Sequence, residues 1–169
     1  EVALESMVLL KNSDGALPLC EVLRSIAVVG PNADDVEVLL GNYSGTPSVA
    51  VTPLEGIRAR AGEGVEVRYA RGCGILGDSR AGFTEAVEAA RGADVVIACM
   101  GISQEVEGEE GPGRPADRED ITLPGVQEDL LRALYAENKN LVVVLLNGSP
   151  LAVNWAQEHA AAILEAWYP

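Results

Sequence analysis

Apolar positions along the chain fall into two rhythms. Continuous aliphatic runs occur at Ser25–Gly30, Asp94–Gly101 and Leu141–Asn147, each short and closed by Gly, Pro or Asn. Runs of this kind suit parallel strands buried on both faces. Val65–Ala70 alternates instead and predicts a half-covered strand, and Ala162–Trp167 predicts a last one. Helical spacing fills the gaps. Pro53–Ala61 follows Thr52 as cap, with Pro at the first helical position. Arg80–Arg91 carries Phe83, Val87 and Ala90 on one side and stops at Gly92, while Gly125–Glu137 carries Val126, Leu130, Leu131 and Leu134. Leu151–Glu158 predicts a shorter helix, and Val2–Leu10 an opening one ended by the Asn12–Gly15 turn.

Strand and helix therefore alternate, which implies right-handed crossovers. The expected fold is α/β: a mostly parallel, doubly wound sheet with helices on both faces. In such sheets ligands meet the carboxyl ends of the strands. Three such ends stand out: Gly30–Asp34, Gly101–Gln104 with the long stretch that follows, and Asn147–Pro150. The irregular stretch Ile102–Asp120 is the longest, and loops of that length inside a compact domain are often functional.

Composition sharpens this picture in two places. The 169 residues fit one domain, and with 48% hydrophobic but only 4% aromatic residues the core must be aliphatic. A net charge of −14 argues against a nucleic-acid surface and against docking on anionic membranes, while permitting a neutral ligand such as a sugar. Cys20, Cys73 and Cys99 form no CxxC pattern, and Cys99 sits in an apolar run as a small buried hydrophobe.

The long stretch concentrates carboxylates: Glu105, Glu107, Glu109 and Glu110, then Arg114, Asp117 and Arg118. An extended backbone would point Glu105, Glu107 and Glu109 the same way. Crowded like charges raise at least one carboxyl pKa, which suits a general acid, and the arginines would hold other carboxylates ionised. A solvated acidic surface is the alternative, and a Ca²⁺ or Mg²⁺ site is another, although no EF-hand spacing is present. No metal or other cofactor is expected. The turn after Gly30 lacks both phosphate-loop patterns, so Pro31 and Asn32 are expected to shape a tight turn. His159 has no second His for a zinc site and reads as a surface or capping residue, and Ser149 is in no GxSxG elbow. Asn42–Ser44 and Asn147–Ser149 match the glycosylation pattern. Tyr43, Trp155 and Trp167 are the few aromatic candidates for a sugar platform.

In order along the chain, several segments resemble family 3 glycoside hydrolases. They are Glu5–Asn12 with Leu17–Leu19, Ile26–Ala33, Leu40–Gly45, Thr52–Ile57, Tyr69–Cys73, Ala93–Ile97, Gly101–Gln104, Glu107–Glu110, Asp117–Arg118, Leu123–Gly125, Val142–Leu151 and Ile163–Pro169. The resemblance spans nearly the whole chain and points to the family's second, C-terminal α/β-sandwich domain. It implies a retaining, exo-acting β-glycosidase of the β-glucosidase or β-xylosidase kind, acting on terminal β-linked sugars. In that family an aspartate nucleophile comes from a preceding (β/α)₈ barrel, and the second domain lends the glutamate acid/base.

Carried onto this chain, the family's Gly-Glu context before Asp-Arg falls on Gly108-Glu109. Glu109 is the first choice for acid/base and Glu107 the second, because Gly111–Ala116 lengthens the gap to Asp117-Arg118. Asp117 and Arg118 are candidates for sugar binding or for bracing the loop. The expected partners are a carbohydrate substrate and the barrel domain. A barrel needs about 250 residues, so the chain is expected to be a fragment, also short of the last segments of its own domain and inactive alone. The competing readings are a non-catalytic carbohydrate-binding or interaction module sharing the fold, and a nucleotide-binding α/β domain.

Overall fold

A computed structural model describes residues 2–41, 44–107 and 118–169. Its strands are β1 (Val8–Asn12), β2 (Ser25–Val29), β3 (Glu66–Ala70), β4 (Val95–Gly101), β5 (Leu141–Leu146) and β6 (Ala162–Glu165). Its helices are α1 (Val2–Ser6), α2 (Pro53–Ala61), α3 (Phe83–Ala90), α4 (Gln104–Glu107), α5 (Gln127–Glu137) and α6 (Asn154–His159). The strands form one sheet in the order β1-β6-β5-β4-β2-β3, parallel throughout except for β1 against β6.

Alternation along each strand sends side chains to opposite faces. Val96, Ala98 and Met100 of β4 join Ala27, Val143 and Ile163 beneath α3, α5 and α6. Val95, Ile97 and Cys99 join Ile26, Val28 and Val142 on the other face, which α2 covers through Leu54 together with Leu17, Leu19 and Leu23. Both faces thus have helical cover, as the aliphatic runs predict. The Thr52 hydroxyl accepts from the Glu55 amide, the Glu55 carboxylate accepts from the Thr52 amide, and Pro53 follows the cap. That reciprocal pair satisfies two backbone donors that a helix start leaves open.

The opening of the chain differs from its pattern. The helix expected over Val2–Leu10 ends at Ser6, and Val8–Asn12 becomes an edge strand. Val8 pairs with Glu165 and Asn12 with Ala162, with an irregularity between Leu9 and Lys11. A short aliphatic run satisfies either period, and the open edge of β6 decided it. Three other helices start later than predicted, at Phe83, Gln127 and Asn154. The stretch expected to be irregular after Ile102 contains the single helical turn α4.

Candidate functional site

Chain order places β3 on one side of β2 and β4 on the other, so the sheet reverses direction of growth between β2 and β4. The carboxyl ends of the parallel strands beside that point are where such sheets gather ligands. Here those ends are closely fitted. A Cβ at Gly30 (φ 126°) would lie 2.0 Å from the Cys99 carbonyl oxygen, and one at Gly101 (φ 145°) would lie 2.0 Å from that of Leu146. Only glycine serves at either position, by space and by backbone angle.

Two buried amides hold the start of the long loop. Gln127 accepts from the Gly101 amide at 2.8 Å and donates to the Gly101 carbonyl at 2.7 Å and the Ile75 carbonyl at 3.0 Å. Asn32, expected to shape a tight turn after Gly30, also donates to the Ile102 carbonyl at 2.8 Å and so ties that turn to the start of the loop. The Ile102 amide in turn bonds Leu146 at 3.0 Å. The Val106 and Glu107 amides then close α4 onto the Ser103 carbonyl at 2.9 and 3.2 Å.

α4 overturns one expectation. Glu105 and Glu107 lie on a helical turn, where residues two apart diverge by about 200°, so they do not point the same way. Glu105 is exposed and Glu107 partly buried. The Glu107 carboxylate accepts the Gly148 amide at 2.7 Å. Gly148 sits between two side chains: a Cβ there would lie 2.7 Å from Glu107 Oε1 and 2.8 Å from Tyr168 Cε2. The Tyr168 hydroxyl is buried beside Glu107 without closing a hydrogen bond among the described residues. Burial first, and the Glu107 carboxylate second, push the phenol well above its ordinary value, so at neutral pH it is a donor.

A second carboxylate lies nearby. Glu165, 6% exposed at the end of β6, accepts the Trp167 amide at 3.1 Å. Burial pushes its carboxyl up, opposed by that amide and by the Asn147 side chain. Asn147 is itself 2% exposed, so its glycosylation pattern is closed off in the folded chain. Asn32 Oδ1, Asn147 Oδ1, Ser149 Oγ and the Tyr168 hydroxyl are buried without partners among the described residues. The last three gather around Gly148, a concentration the sequence pattern did not reveal. The only signal for it was Asn-Gly-Ser at a strand end and Tyr168 within the resembling segment.

The other candidates are placed only in part. Glu109, Glu110, Arg114 and Asp117 lie outside the described residues, as do Asn42 and Tyr43. Arg118 donates to the Thr122 carbonyl at 2.9 Å, Asp120 accepts the Thr122 amide at 2.7 Å, and the Arg118 charge also acts on the Tyr168 phenol. Trp155 has His159 stacked on it at 4.5 Å and the Arg132 guanidinium 5.0 Å from its ring centroid, while His159 Nδ1 meets the Trp155 carbonyl at 2.9 Å. That indole is engaged within the protein. A cavity of about 520 Å³ lies between α2 and residues 18–23, lined by Leu19, Ile57, Val65 and Ile97, towards the amino ends of the strands and away from Glu107. Burial raises the thiols of Cys73 to about 11 and Cys99 to about 12, which leaves both inert at neutral pH.

The fold and this edge define a doubly wound α/β domain that displays a carboxylate-bearing loop where its parallel strands end. Its residues 7–169 match the model of the glycosyl hydrolase family 3 C-terminal domain, and the chain belongs to that family. It is 41% identical to a beta-xylosidase of Formosa agariphila and 40% identical to a periplasmic beta-glucosidase of Salmonella typhimurium, in each case over 99% of this chain and 24% of the relative. Among solved structures, a family 3 exo-beta-xylosidase (XlnD) bound to a xylobiose aziridine probe superposes with a TM-score of 0.88 at 37% identity, covering 99% of this chain and 21% of that one. A family 3 beta-glucosidase of Bifidobacterium adolescentis gives 0.82 at 40% identity, covering 98% and 23%. The chain thus spans about a quarter of the length of such relatives.

Proposed function

We propose that this domain serves a retaining exo-β-glycosidase, of the β-xylosidase or β-glucosidase kind, by lending its general acid/base, Glu109, to an active site shared with a (β/α)₈ barrel. The carrying observation is the anchored base of the carboxylate-rich loop. Gly101–Glu107 is tied to the carboxyl edge by Gln127, Asn32, Leu146 and Gly148, in a chain about 40% identical to enzymes named for β-xyloside and β-glucoside cleavage. A loop fastened at its root suits a group that must meet a nucleophile from another domain.

The chemistry follows from that division. Retention needs two carboxyl groups roughly 5 Å apart. A barrel aspartate attacks the anomeric carbon while Glu109 gives its proton to the departing oxygen. Glu109, now a carboxylate, then takes a proton from the water that attacks the glycosyl-enzyme bond, which regenerates both groups. Without the barrel the nucleophile is missing and the domain alone turns nothing over. Asp117 and Arg118, which close the acidic stretch in sequence, are both candidate sugar ligands, and Arg118 also bonds the Thr122 carbonyl.

The test is Glu109→Gln in the full-length enzyme. Turnover of substrates with poor leaving groups should fall about 10²- to 10⁴-fold, while activated aryl glycosides lose much less in the first step. Azide should restore turnover and yield the β-glycosyl azide. Unchanged turnover without azide product would refute the assignment.

A further inference from the structure

We propose that Glu107 is a positioning residue, the fastening that fixes where the acid/base loop leaves the sheet, and that its acceptor oxygen, not its proton, is what the enzyme uses. This rests on the reading of Glu109 as acid/base, which stands two residues further along the chain. Glu107 ends a single helical turn, and one turn with two amides on Ser103 has little stability of its own. What holds it is tertiary. Its carboxylate takes the Gly148 amide at 2.7 Å, a short charge-assisted bond to the backbone beyond β5. Tyr168, beyond β6, packs on the other side of Gly148 and sets its hydroxyl beside the same carboxylate. The contact therefore joins the outgoing segments of β4, β5 and β6 at one point.

Gly148 is matched to this contact. With Oε1 and Oε2 of Glu107 at 2.7 and 3.1 Å from a virtual Cβ, and Tyr168 Cε2 at 2.8 Å, any side chain there would push Glu107 away from its donor. A carboxylate committed to a backbone amide, with a phenol packed beside it, is poorly placed to exchange protons with a sugar oxygen. It is well placed to set the exit of the loop, where a misplacement of about 1 Å costs about 10²-fold in rate.

The role separates from general acid catalysis by a Gln/Ala split. In the full-length enzyme, Glu107→Gln keeps an acceptor for the Gly148 amide and should lose less than about tenfold in kcat. Glu107→Ala removes the acceptor and should lose about 10²-fold. Neither should yield glycosyl azide, because Glu109 keeps the charge that repels azide. Tyr168→Phe, which removes one hydroxyl and no packing, should lose a few-fold and add to Glu107→Gln less than independently. If Glu107→Gln and Glu107→Ala are equally inactive on poor leaving groups and both give β-glycosyl azide, Glu107 is the acid/base and the proposal falls. It also falls if Glu107→Ala and Tyr168→Phe both retain full kcat. If Glu109→Gln proves active while the Gln/Ala split at Glu107 persists, the fastening stands and only the choice of Glu109 fails.

Discussion

The two ends of the sheet are built to different standards. At the amino ends of the strands, polar groups are closed on one another. Asp94 accepts the amides of Arg24 at 2.7 Å and Ser25 at 2.9 Å. Asn138 caps the Ala90 and Ala93 carbonyls at 3.2 and 2.6 Å, and Asn140 reaches the Asp94 carbonyl at 2.6 Å. At the carboxyl ends, four buried polar atoms have no partner among the described residues, a buried carboxyl is pushed towards its neutral form, and two glycines hold left-handed backbone against facing carbonyls. Buried unpaired groups are costly and rare. Their concentration at one end, among the described residues, sets the carboxyl ends apart from the amino ends. Bonding at that end is spent on Gly101–Glu107, the root of one loop.

Substitutions can sharpen or break this contrast. The largest effect is expected from Gly101→Ala, which meets the Leu146 carbonyl and a φ of 145° at once. Overpacking and backbone strain together should cost about 4 kcal/mol or more in urea unfolding. A near-neutral result would mean the carboxyl end is looser than its spacing indicates. Gln127→Leu comes next. It strands the Gly101 amide and carbonyl and the Ile75 carbonyl, at a cost of about 3 kcal/mol. In the full-length enzyme it should also lower kcat, because it frees the loop's root. Asn138→Ala removes two bonds at the opposite end and should cost about 1 kcal/mol with kcat unchanged. Equal loss of kcat by both variants would erase the functional distinction between the ends.

The smallest effect is a pair of opposite pH dependences. The Arg24 and Ser25 amides lower the Asp94 carboxyl, so its contribution is present above the unfolded value near 3.8 and is lost as pH falls through the folded one. Asp94→Asn should therefore lower Tm at pH 7 and change it little at the acid end. Burial raises Glu165, so the folded chain binds the extra proton, and stability declines as pH rises from the unfolded value near 4.5 through the folded one. Glu165→Gln should raise Tm at pH 7 more than at pH 4. Thermal melts across that range check both signs, and parallel shifts in the two variants would contradict the contrast.

How much was legible varies with the reach of the interaction. Thr52, Pro53 and Glu55 announce α2 because cap and first turn are neighbours in sequence. The runs around Val28, Ile97 and Val143 announce central strands because burial on both faces leaves no polar positions. Val8–Asn12 was not legible, since its strand conformation depends on an open edge at β6, at the other end of the chain. Glu107 was visible as one of four clustered glutamates and as second choice for acid/base, with nothing local to reveal its contact with Gly148. Its donor lies on Gly148 and its neighbour on Tyr168.

The sequence by itself determined the α/β alternation, the aliphatic core, the family and the loop that carries the carboxylates, because each is written in local periodicity or in a contiguous motif. Only the tertiary structure decided that polar groups at the amino ends close on one another while those at the carboxyl ends lack partners among the described residues, that β1 is a strand, and that Glu107 is bound to the backbone beyond β5. Those outcomes depend on which strand ends become neighbours, and that follows from sheet order. A sheet in the order β1-β6-β5-β4-β2-β3 brings Glu107, Gly148 and Tyr168 into contact across about sixty residues of chain.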